Sequence, residues 1–230
     1  MLTSADKRGF LIGLLLMMAV GATWAAAFLY APADANQGEV YRIIFLHVPS
    51  AFTAFASSLA LFVLSVLALK RKSESILTWA KATAEVGFLF TVLTLVTGSI
   101  WGRPTWGVWW TWDARLTTTL LLAILYSGFL LLYANMSPGP ERVRGCSVLG
   151  ILIFVDVPII YKSVTWWRTL HQPPSMIREG GASMDPDILN VLLLSMLAMA
   201  CFSVWLVWQR GLNLRLRDEL EKATFDQLRS

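Results

Sequence analysis

Six apolar blocks, each near the length a helix needs to cross a bilayer, constrain this chain more than any other feature. They run over residues 10–30, 43–69, 84–100, 116–134, 143–161 and 188–208. A hydrocarbon core of about 30 Å takes roughly 20 mostly apolar residues as a helix. Unbroken apolarity at that length fits neither a strand nor an amphipathic soluble helix. With 56% of residues hydrophobic and 15% charged, polar residues are too few to coat a soluble core. The expected fold is an all-α integral membrane protein: six transmembrane helices and a tryptophan-rich outer loop, one membrane domain over residues 1–230. The first block lacks an Ala-x-Ala site followed by a soluble domain, so it is expected to remain a span rather than a cleaved signal.

The placement of charge orients the spans. With the N-terminus in the cytoplasm, the outer side carries Arg42, Arg103, Arg115, Lys162, Arg168 and Arg178. The other 13 of the 19 Lys and Arg residues fall inside. Cytoplasmic loops carry the excess of basic residues in membrane proteins, so both termini are expected inside. Topology accounts for the basic residues, and lipid rather than nucleic acid is the expected surroundings. The tail 212–230 reads as a short amphipathic helix at the membrane surface, with Leu212, Leu216 and Leu220 on one stripe.

Both histidines then lie on the outer side, His47 at the start of span two and His171 between spans five and six. Imidazole is a standard ligand for haem iron and for other metals. The pair alone points to metal or haem without choosing between them.

The stretch WGRPTWGVWWTWDAR, residues 101–115, holds five of the chain's 11 tryptophans: Trp101, Trp106, Trp109, Trp110 and Trp112. An interfacial aromatic belt spreads its rings over many helix ends; here they crowd into one connection. If 106–113 is helical, Trp106, Trp109, Trp110 and Asp113 share one face, which suits a large flat apolar ligand better than a belt. Asp113 is also placed to cap span four. A further pair, Trp166 and Trp167, precedes His171.

Asp156 stands inside span five. An ionisable group there reads either as functional or as a polar pin between helices, aided by the carbonyl that Pro158 frees. Glu85 is expected at the inner interface. Cys146 and Cys201 have no CxxC spacing and are expected to be inert packing residues.

On these residues the chain resembles a known family. The stretch 101–117 (WGRPTWGVWWTWDARLT) is similar to the WWD signature of the haem-handling proteins of cytochrome c biogenesis. FLHVPSAF around His47 and VDVPIIYKSVTWWRTLHQPP over 155–174 resemble the haem exporter protein C (CcmC) family in particular. The resemblance covers nearly the whole chain. It implies haem b held at the periplasmic face of the bacterial inner membrane, with His47 and His171 as axial ligands of the iron. It implies Trp101, Trp106, Trp109, Trp110, Trp112 and Asp113 as the platform presenting haem to a periplasmic chaperone, CcmE. It implies as partners the ABC transporter subunits CcmA and CcmB and the small single-span protein CcmD, and no enzyme activity. Arg103, Arg115 and Arg168 are the outer cations near enough in sequence to meet the haem propionates.

Two other functions compete. A haem transporter needs a lined pathway, and the spans offer mainly Asp156; no GxxxxGK[ST] loop is present, so any ATP must be spent by a partner. No internal repeat suggests an inverted-repeat transporter. A b-type membrane cytochrome usually places its histidines near the bilayer centre, whereas both lie here at the outer edge.

Overall fold

A computed structural model describes residues 4–171 and 184–227. These fold into six helices: α1 Ser4–Leu29, α2 Ile44–Arg71, α3 Glu74–Trp106, α4 Ala114–Asn135, α5 Pro140–Trp166 and α6 Pro186–Gln227, with a 3-10 turn Glu39–Ile43 leading into α2. No strand occurs among the described residues, and all six helices are long and apolar enough to cross a membrane. The chain is therefore an all-α, multi-pass membrane protein. Arg178 and the Pro173–Pro174 pair lie outside the described residues, as does Arg229 at the end of the tail.

The helix ends have local causes. Carbonyls at the end of a helix lack partners within it, and Arg42 supplies them at the end of α1 and just beyond: its guanidinium donates to the carbonyls of Ala27 and Ala31. Lys72, in a left-handed conformation at φ 50°, stops α2. Ser73 then opens α3 by accepting the Ile76 amide at 3.4 Å. Gly107 stops α3 at φ 80°, with its amide donating to the Arg103 carbonyl at 3.1 Å. Asp113 opens α4, its Oδ1 accepting the Leu116 amide at 2.8 Å, as its residue type predicts.

Helices α2, α3, α4 and α5 form the central bundle, α6 covers α2 and α3, and α1 lies outermost against α6. Leu61, Leu77, Leu122, Tyr126, Phe129 and Ile153 are fully buried within the bundle. Span hydroxyls bond carbonyls one turn back, as Thr91 does to Gly87 at 2.7 Å, which satisfies them where water is absent. The α1–α6 contact is close: Trp205 donates its indole N–H to the Gly9 carbonyl at 3.1 Å and lies flush against Gly13.

Several expectations change. Helix α6 runs unbroken for 42 residues, so the tail is an extension of the last span and not a separate helix. Leu216 and Leu220 are exposed, while Gly211 and Leu214 are buried; Trp79 of α3 sits against Gly211, and Thr78 donates to Asp218 at 3.3 Å. Of the two cysteines only Cys146 is buried; Cys201 lies on an exposed face of α6. Asp156 is buried, and neither carboxylate oxygen has a hydrogen-bond partner among the described residues, which gives no support to the pin between helices. Glu85 pairs with Arg210 of α6 and, at 3.3 Å, with Lys81.

Candidate functional site

At the end of the bundle that carries the connections 30–43 and 107–113, a cavity of about 260 Å³ opens between α2, α3, α4 and α5. His47 and His171 both line it, as do Trp101, Trp106 and Arg115. The lining is mainly apolar with a few convergent polar groups, the usual character of a small-molecule site.

The two histidines are held in parallel ways. His47, in the first turn of α2, has its Nδ1 3.0 Å from the Thr97 hydroxyl of α3, and Trp101 meets its ring edge-on at 5.6 Å. His171, beyond the end of α5, has its Nδ1 3.0 Å from Oδ2 of Asp113, and Trp106 meets its ring at 4.9 Å. The Asp113 carboxylate oxygen accepts, so the His171 ring donates through Nδ1–H, leaving Nε2 as its open lone pair. Burial holds His171 below its ordinary value of 6.5, while the Asp113 carboxylate pulls the other way. A neutral imidazole is the form that ligates iron. The hydrogen bond through the other ring nitrogen is the usual support of a metal-binding histidine.

The tryptophans divide. Trp101 and Trp106 belong to the last turns of α3 and point into the cavity, with Trp101 anchored by its N–H donating to Gln37 at 2.7 Å. Beyond Gly107 the chain is not helical, so Trp106, Trp109, Trp110 and Asp113 do not share the helical face expected of them. The left-handed Gly107 breaks the periodicity. Trp109 and Trp112 are instead 60% and 76% exposed, and Trp110 packs edge-on against Trp112 at 5.5 Å.

The arginines divide too. Arg115 lines the cavity and donates to the Tyr161 carbonyl at 3.4 Å, with its Nε buried and without a partner among the described residues. Arg103 turns back to the Gly107 carbonyl, and Arg168 is exposed away from the cavity. Sequence reasoning missed Thr97, Gln37 and Tyr41, all close to His47 or Trp101. A threonine beside a glycine within a span, at the depth of a histidine on the preceding one, was the available signal for Thr97.

Comparison with known proteins matches this chain over residues 3–226 to a family model described as Heme exporter protein C. The chain belongs to that family. It is 36% identical over 217 residues to Heme exporter protein C of Escherichia coli K12, covering 94% of this chain and 86% of that protein. It is 39% identical over 199 residues to the Bradyrhizobium diazoefficiens protein of the same name, covering 83% and 72%. The Haemophilus influenzae protein is similar at 39% over 196 residues, covering 85% and 79%. Membership in the haem exporter protein C family carries a coarse assignment: a multi-pass membrane protein of a haem-handling family of cytochrome c biogenesis.

Proposed function

We propose that this chain holds haem b between His47 and His171 at the periplasmic face of the bacterial inner membrane and presents it to the haem chaperone CcmE. The observation that carries this reading is that two histidines 124 positions apart in sequence line one apolar cavity, each with Nδ1 engaged. The residues present fit haem: two imidazoles able to offer Nε2, two indoles beside them for the macrocycle, and Arg115 as the cation for a propionate. The outward rings Trp109 and Trp112 suit contact with the chaperone. CcmA, CcmB and CcmD are the proposed partners. This chain has no phosphate loop, so an ABC transporter would supply any ATP hydrolysis. The uneven distribution of basic residues supports a topology with both termini in the cytoplasm. No catalytic step is assigned to the chain.

The histidines' position at the end of the bundle favours a transferable haem over the buried haem of an electron-transfer cytochrome. Absorption spectra of the purified wild type, His47→Ala and His171→Ala test the reading. The wild type should be six-coordinate and low-spin, and each single variant should lose that spectrum. An unchanged spectrum in both variants overturns it.

A further inference from the structure

We propose that Thr97 is a positioning residue: its hydroxyl holds His47 as the Nδ1–H tautomer and so turns Nε2 toward the cavity. The inference rests on His47 being a haem ligand, but its first test does not need haem.

The hydrogen bonds around Thr97 determine the tautomer. A threonine hydroxyl has one proton and two lone pairs. Thr97 has two carbonyls in reach for that proton, Leu93 at 2.7 Å and Thr94 at 3.2 Å. Carbonyls only accept, so the proton is committed to one of them and a lone pair faces His47 Nδ1 at 3.0 Å. Nδ1 must therefore carry the ring's hydrogen. The Thr94 main chain also lies within hydrogen-bond reach of the His47 ring. Two further contacts fix the plane of the ring. Trp101 crosses it at 79°, and Gly98, next to Thr97, leaves space that a Cβ would close to 3.0 Å from Cε1.

His171 reaches the same tautomer by a different route, through the Asp113 carboxylate. The site thus has one ligand backed by a charge and one backed by a neutral hydroxyl. A charged acceptor polarises an N–H more strongly, so the two imidazoles differ as donors. Thr97 serves the weaker of them.

The chain's only two histidines make this directly measurable. Protein purified without a polyhistidine tag and carrying nitrogen-15 in its histidine rings gives two spin systems, assigned with His47→Ala. In the haem-free wild type, His47 should be the Nδ1–H tautomer. Thr97→Val, which keeps the shape and removes the acceptor, should introduce a substantial Nε2–H fraction; Thr97→Ser should restore the wild-type pattern. Thr83→Val, the same exchange lower on α3 and outside the cavity, should change nothing. With haem added, Thr97→Val should lose occupancy several-fold and gain a high-spin fraction, with Thr97→Ser again restoring both. The Thr94 main chain also bonds the ring, so the loss is partial. A wild-type His47 found as Nε2–H, or a Thr97→Val protein with normal tautomer or normal haem occupancy, overturns the proposal. A low-spin spectrum surviving in His47→Ala would instead defeat the ligand reading, while the haem-free tautomer measurement still decides whether Thr97 sets the ring.

Discussion

Asp113 serves two structures at once: Oδ1 accepts the Leu116 amide at 2.8 Å and caps α4, while Oδ2 lies 3.0 Å from Nδ1 of His171. The first turn of α4 and the orientation of a candidate ligand therefore share one carboxylate.

The two roles separate by substitution. Asparagine is as good a cap as aspartate, whereas loss of a cap to alanine costs about 1 kcal/mol. Asp113→Ala should lower thermal stability by about that amount and weaken haem retention. Asp113→Asn should keep the stability and lose only part of the retention. Unfolding curves beside haem content check this; equal destabilisation by the two variants would show that the cap is unimportant.

The same carboxylate sets a pH dependence. Burial is the larger influence on His171 and holds it below 6.5; Asp113 opposes that by favouring the imidazolium. On acidification the unfolded chain takes up the proton before the folded one. The stability from a neutral, buried His171 is thus full above about 6.5 and is lost as pH falls through the depressed folded value. Asp113→Asn removes the charge that favours protonation, so the His171 titration should move to still lower pH. An NMR titration of the haem-free protein reads this, and an upward move would mean the pair is not formed.

Inner and outer tryptophans should fail differently. Stacking of a flat ring on an aromatic side chain is worth about 1–3 kcal/mol in nucleic-acid complexes, and a similar order is taken here. Trp106→Ala should therefore cut haem retention roughly tenfold, without removing the axial ligands from the protein that remains loaded. Trp109→Ala and Trp112→Ala should retain haem but transfer less of it to the chaperone. Haem content, spectrum and transfer measured together distinguish them; normal transfer in the outer variants returns those rings to an aromatic belt.

The α1–α6 contact gives a stability test remote from the site. A Cβ at Gly13 would lie 2.1 Å from the Trp205 ring, whereas one at Gly21 meets nothing within 4 Å. Overpacking of this kind typically costs about 1–3 kcal/mol. Gly13→Val should lower the thermal midpoint, and Gly21→Ala should leave it unchanged or raise it, since alanine is the better helix former. Equal midpoints would show that α1 does not depend on this seam.

The six spans were legible because a bilayer demands long apolar runs, and each run falls within a helix to within one residue. Their ends were less so. Helix α3 begins at Glu74, well before the apolar block at residue 84, because Ser73 caps it and its first turns pack among other helices rather than in lipid. The cap at Asp113 could be read from residue type alone. Its bond to His171, 58 positions away, could not, because only tertiary packing brings the two together. The aromatic face expected over 106–113 failed at one residue, since a left-handed Gly107 resets the direction of every side chain after it. Trp101 and Trp106 were singled out together with Trp109, Trp110 and Trp112, but periodicity had no means of separating rings that point inward from rings that point out.

The unbroken course of α6 has a mechanical consequence. At 1.5 Å per residue its 42 residues make a rod about 63 Å long, of which a bilayer core takes about 30 Å. No proline follows its first position, and its one glycine, Gly211, is packed against Trp79, so the usual causes of a kink are missing. A straight rod of that length couples its two ends across the bilayer, and the Glu85–Arg210 contact ties it to α3 between them. Its other end is tied to the segment after α1, where Asp187 accepts the Tyr30 hydroxyl at 2.9 Å. A displacement at one end of the rod is therefore felt at the other, on the far side of the bilayer.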